Sequence, residues 1–124
     1  MKFTEGYWLT SERANSVSAA EAYKIEKIPG GMRVLATTKE IKSRGNTLNL
    51  PTITILFQAC TDHTIKVEAW HYQGYQDASL EFEKAEMKME PEVTITEDGA
   101  VMDTGCVLVR VQKYPFCYRF EADG

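Results

Sequence analysis

Along Thr64–Gly74 the chain reads Thr-Ile-Lys-Val-Glu-Ala-Trp-His-Tyr-Gln-Gly. Ile65, Val67, Ala69 and His71 fall on one side, and Thr64, Lys66, Glu68 and Trp70 on the other. A period of two predicts a strand with one face in a core. The alternation stops at Tyr72. Tyr72-Gln73-Gly74-Tyr75-Gln76-Asp77 is polar, aromatic and glycine-containing, the make-up of an exposed loop. A strand that delivers aromatic and hydrogen-bonding side chains into a loop builds a binding edge, so this stretch is the first candidate for a ligand or domain contact.

The same pattern recurs in both directions. Ala19–Ile28 predicts a strand, with Tyr23, Ile25 and Lys27 opposite Ala22, Lys24, Glu26 and Ile28. Pro29-Gly30-Gly31 is a turn, because proline fixes φ and glycine accepts a positive one. Met32–Thr38 returns, so the two strands predict a hairpin. Arg44-Gly45-Asn46 is a further turn. Thr52–Ala59 is apolar on both sides and predicts a strand covered on both faces, joined to the 64–71 strand through Thr61-Asp62-His63. Later strands are expected at Lys84–Met89, Glu92–Thr96, Ala100–Met102, Cys106–Val111 and Phe116–Phe120, with turns at Asp98-Gly99, Asp103-Thr104-Gly105 and Tyr114-Pro115. Near the N-terminus, Tyr7-Trp8-Leu9 is a short apolar patch, and Ser11–Ala14 has room for a helical turn. Many short strands separated by frequent turns predict an all-β fold, an antiparallel β-sandwich.

Composition fits one folded domain. The chain has 124 residues, 44% of them apolar and 26% charged. The net charge of −4 has acids and bases interspersed, so nothing attracts nucleic acid or an anionic membrane. No apolar run is long enough to span a bilayer. The N-terminus lacks a signal-peptide core, which places the chain in the cytoplasm. Cys60, Cys106 and Cys117 are odd in number and lack a metal-like spacing. Free thiols in a reducing compartment account for them, and a bridge between Cys106 and Cys117 requires that their strands pair.

Catalytic chemistry finds little support. Glycoside hydrolysis needs two carboxyl groups roughly 5–10 Å apart. Glu81, Glu83, Glu86 and Glu90 are available, but they interleave with Lys84 and Lys88 as a solvated face does. His63 sits in a tight connection and His71 at a strand end. Neither has a cysteine or carboxylate at ligand spacing nearby, so no metal and no cofactor is expected. Sugar binding has better material. Trp70, Tyr72 and Tyr75 offer stacking surfaces, and Gln73, Gln76 and Asp77 offer hydrogen bonds. The plainer account is that Trp70 covers a neighbouring sheet or domain, the tyrosines are half-buried, and His71 is a structural hydrogen-bonding residue.

Four stretches together carry a family resemblance. Met1-Lys2-Phe3-Thr4-Glu5-Gly6-Tyr7-Trp8-Leu9 resembles the opening of bacterial α-xylosidases of glycoside hydrolase family 31. Arg44-Gly45-Asn46-Thr47-Leu48-Asn49-Leu50-Pro51-Thr52-Ile53-Thr54 resembles a polar turn of that family running into a strand. The strand ending His71-Tyr72-Gln73-Gly74 is similar to one leading into an aromatic and glycine loop. Thr104–Val111 and Phe116–Phe120 look like the family's pair of strands after a glycine turn.

The resemblance implies an N-terminal sandwich related to galactose mutarotase, spanning 1–124 and incomplete, followed in a longer parent by a catalytic (β/α)8 barrel and further β-domains. Both catalytic aspartates of such retaining enzymes belong to the barrel. A barrel does not fit in this length, and the alternating βα pattern is absent. The isolated chain is therefore expected to be no enzyme, with a glycoside hydrolase as its parent. The resemblance also implies a loop that reaches the barrel mouth and helps wall the substrate pocket. The matching positions are His71, Tyr72, Gln73, Gly74 and Tyr75, with Trp70 before them and Asp77 after. The expected partners are the barrel of the same parent and a carbohydrate. The chain stops directly after a strand, and a truncated sandwich exposes strand edges, so self-association is also expected.

Overall fold

The computed structural model describes residues 16–48, 50–71 and 89–122. Among them the alternating segments become eight strands. These are β1 (Glu21–Ile28), β2 (Gly31–Thr37), β3 (Thr52–Thr61), β4 (Thr64–Trp70), β5 (Glu92–Ile95), β6 (Gly99–Asp103), β7 (Val107–Gln112) and β8 (Cys117–Ala122). One short 3-10 turn, Arg44–Thr47, interrupts the link from β2 to β3. The strands form two four-stranded antiparallel sheets, in the orders β1-β2-β3-β4 and β5-β6-β7-β8. The fold is all-β, as expected from the sequence. No helix among the described residues is long and apolar enough to cross a membrane.

Register decides which side chains meet. In the first sheet Ile25, Val34, Ile55 and Ala69 line up across the strands, and so do Met32, Phe57 and Val67. In the second sheet the rows are Val93, Met102, Val109 and Phe120, then Ile95, Ala100, Val111 and Tyr118. These two faces pack together. Met32, Val34, Phe57, Met102 and Val109 are fully buried between them. Tyr118 and Phe57 meet edge to face with ring centroids 5.2 Å apart, and the Phe120 ring lies 6.5 Å from Phe57. Edge-to-face contacts of this kind add to plain area burial.

Backbone bonds stitch the sheets at the β1 side. Ala22 N–H donates to Lys113 C=O at 2.9 Å, and Phe116 N–H donates to Ala20 C=O at 2.9 Å. The turn between β7 and β8 thus covers the free edge where β1 begins. At the far end, the hydroxyl of Thr104 donates to Asp62 C=O at 2.5 Å, joining the β6–β7 turn to the β3–β4 turn.

Several details differ from strict alternation. A bulge between Ala22 and Lys24 adds Tyr23 to β1. Ala22 and Ile25 therefore both point into the core, although the pattern placed them on opposite faces. A bulge gives one strand an extra residue and resets its pleat. The outer face of β3 is only half covered at Thr54, Leu56 and Gln58. Cys117 pairs opposite Gln112 and Ala122 opposite Val107. Cys106, just before β7, therefore stands at the other end of the hairpin from Cys117, and no bridge can join them. All three cysteines are free. The expected patch Tyr7–Leu9, the turn at Ser11–Ala14 and the strand at Lys84–Met89 lie outside the described residues, except for Met89, which is not in a strand.

Both sheets use one glycine in the same way. Gly31 opens β2 and Gly99 opens β6. A Cβ on Gly31 would overlap the carbonyl of Phe57, and one on Gly99 that of Val111. The neighbouring strand approaches too closely for any side chain.

Gly31→Ala is accordingly expected to lower stability, although alanine usually gains over glycine by restricting the unfolded chain. Phe57→Ala is expected to cost about 3–5 kcal/mol. Urea unfolding checks both as a lower midpoint at unchanged slope. A Gly31→Ala midpoint at or above wild type contradicts the close approach.

Candidate functional site

The β3–β4 hairpin carries a candidate site at each end. At its open end β3 starts at Thr52 after Pro51, and β4 finishes at Trp70, opposite Thr54. Val17, Pro51, Ile53, Ala69, Trp70 and His71 line a cleft of about 420 Å³ there. Ile53 and Ala69 belong to the core-facing side of the sheet. Ala69 is exposed among the described residues. Val17 is half exposed, and His71 is exposed at the lip.

Of the expected contact residues, the structure brings Trp70 and His71 to this cleft together. Tyr72, Gln73, Gly74, Tyr75 and Asp77, with Gln76, lie outside the described residues. Among the described residues the lining is mostly apolar and includes no carboxylate. It offers an aromatic surface and one imidazole, which suits stacking and desolvation. These described residues do not include the acid and nucleophile pair of glycoside hydrolysis.

At the closed end, the Asp62-His63 turn meets the turn before β7. His63 Nε2 stands 3.7 Å from Asp62 Oδ2. The donor atoms of Asp62, His63 and Cys106 all lie within 4.8 Å of one another. Sequence spacing gave no hint of this, because Cys106 arrives from the other sheet. The one available signal was the pair of turns, Thr61-Asp62-His63 and Asp103-Thr104-Gly105, each next to a potential ligand.

The outer faces carry ion pairs. Glu26 sits beside Lys24 and accepts from Arg33 Nε at 3.0 Å. Hydrogen bonds from Lys24 and then Arg33 hold its carboxyl below the usual carboxylate range. On the second sheet Arg110 and Arg119 are directly opposite one another, an unfavourable like-charge pair. Glu121 bridges them, at 2.9 Å from Arg110 Nε and 3.0 Å from Arg119 Nε. Its pKa is lowered, chiefly by the Arg110 hydrogen bond. These charges neutralise one another on solvated faces, and Glu121 also lines the cleft beside Cys106.

No protein-family model matches the chain. Along its whole length, in an alignment of 125 positions, it is 29% identical to alpha-xylosidase XylQ of Lactiplantibacillus pentosus. The chain resembles a family 31 α-xylosidase from end to end. It spans 16% of that relative's length. The resemblance expected from separate motifs thus holds across the chain, for a small part of a much longer enzyme.

Glu121 gives the site's surroundings a pH dependence of definite sign. Its folded pKa lies below its unfolded value, so its contribution is full above the ordinary glutamate range and is lost as pH falls through the folded pKa. Glu121→Gln is expected to lower the melting temperature slightly at neutral pH. That difference should shrink in acid and at high salt. A difference that grows in acid would contradict the bridging role.

Proposed function

We propose that this chain is the non-catalytic N-terminal β-sandwich of a retaining α-glycosidase, most similar to an α-xylosidase. The parent acts on terminal α-linked xylose or glucose in the cytoplasm, where free thiols such as these stay reduced. The sandwich supports the catalytic barrel of the same parent, and the segment from Trp70 to Asp77 trims the substrate pocket. The observation that carries this reading is the whole-chain similarity to an α-xylosidase of which the chain covers only 16%. The apolar cleft at Trp70 and His71 fits it, as a surface for another part of the same polypeptide. So do the exposed core-side residues Val67, Tyr118 and Phe120 at the β4 and β8 edges, since apolar patches left open mark contact surfaces.

A second reading has its own support. Trp70 stands in a cleft with His71 beside it, so a free-standing carbohydrate-binding sandwich would have one stacking surface ready. A third reading, self-association through the open edges, draws on the same exposed residues.

The experiments separate these. The isolated chain is expected to show no turnover of an aryl α-xyloside. Turnover that disappears on mutating one of its Glu or Asp residues would overturn the accessory role. In the longer parent, Trp70→Ala is expected to raise KM for the xyloside more than it lowers kcat. Quenching of tryptophan fluorescence by xylose in the isolated chain, absent in Trp70→Ala, would favour the second reading. Concentration-dependent light scattering would favour the third.

A further inference from the structure

We propose that Asp62, His63 and Cys106 form a three-ligand site for a zinc-class divalent ion, which staples the β3–β4 turn of one sheet to the β6–β7 turn of the other. The inference stands apart from any glycosidase role, since it rests only on the closed end of the sandwich.

The donor set is one imidazole nitrogen, one carboxylate oxygen and one sulfur, with all three atoms within 4.8 Å of one another. Tetrahedral zinc takes sulfur at about 2.3 Å and nitrogen or oxygen at about 2.0 Å, which spaces neighbouring donors roughly 3.3–3.6 Å apart. The 3.7 Å between His63 Nε2 and Asp62 Oδ2 is close to that spacing. It is too long for a hydrogen bond between them, so the pair is set apart by an amount that suits a shared ion. The mixed set with sulfur favours zinc, cobalt or copper over calcium or magnesium, which prefer oxygen. A thiolate and a carboxylate together balance the two positive charges. On binding, the thiol proton of Cys106 is displaced by the metal and leaves to solvent.

The turns are held in place without the ion. Thr104 is 4% exposed. Its hydroxyl donates to Asp62 C=O at 2.5 Å and accepts from Val107 N–H at 3.0 Å. One buried threonine therefore sets both the turn that carries His63 and the start of β7 that follows Cys106. Access is open. The side chains of Asp62 and His63 are 56% and 75% exposed, and Cys106 also lines a shallow cleft of about 170 Å³. Three protein ligands leave the fourth position to water. The ligands come from two turns far apart in sequence, so the folded chain binds the ion more tightly than the unfolded chain does. Binding must then stabilise the fold.

Cobalt(II) is the probe, titrated into the reduced 124-residue chain. One equivalent is expected to give a thiolate charge-transfer band in the near ultraviolet and the strong visible bands of four-coordinate cobalt, both bleached by added zinc. Zinc is expected to raise the melting temperature, and a chelator to return it. Cys106→Ser and His63→Gln should each abolish the cobalt spectrum, while Cys60→Ser and Cys117→Ser retain it. His63 is exposed in a turn, so its variant should fold like the wild type by circular dichroism. Thr104→Val should keep the ligands but weaken binding at least ~10-fold, as lost orientation around a metal does. No cobalt spectrum in the wild type overturns the proposal. So does a spectrum that survives Cys106→Ser or His63→Gln, or one that depends on Cys60 or Cys117.

Discussion

Phe57 is where the two sheets close on each other. It is fully buried at the centre of β3, flanked in register by Met32 and Val67, and met from the opposite sheet by the rings of Tyr118 and Phe120 in T-shaped contacts. A four-stranded sheet with one apolar face cannot leave that face in water, and each sheet here supplies the cover for the other. The backbone bonds at Lys113 tie the first sheet to a turn of the second, while the two strand-opening glycines let neighbouring strands within each sheet approach closely.

The cover is unequal. On the β1 side the turn after β7 hydrogen-bonds to the first sheet and seals it. On the β4 side the second sheet ends at β8, and core-side residues of β4 stay exposed among the described residues. The cleft at Trp70 and His71 lies on this flank, where Ala69 is exposed and Ile53 is only partly buried against the core. An open apolar flank is a stability cost for a domain alone and a docking asset in a longer chain. That is the physical content of the accessory role proposed above.

The β3–β4 hairpin thus separates two kinds of chemistry along about one strand length. At the open end the groups are apolar and aromatic, fit for packing or stacking. At the closed end they are metal-ligand types, gathered by Thr104 from both sheets. Among the described residues the open end presents no carboxylate, and at the closed end Asp103 and Glu121 line the cleft beside Cys106, with Glu121 held between two arginines. The charged side chains that do pair, Glu26 with Lys24 and Arg33 and Glu121 with Arg110 and Arg119, lie across outer strand faces, where they relieve like-charge neighbours.

Alternation by itself was enough to locate most of the strands, their turns and the all-β class, because a side-chain period of two is a local property of extended backbone. Its break at Tyr72 marked the stretch beyond His71 as a candidate contact loop, which lies outside the described residues. It misassigned Ala22, since a bulge depends on how the neighbouring strand pairs and not on local propensity. The same limit left Cys106 and Cys117 as a conceivable bridge until register put them at opposite ends of a hairpin. Cys106 beside His63 was beyond any spacing rule for the same reason. Proximity between residues on different sheets is set by how two faces pack, and only the tertiary structure contains that.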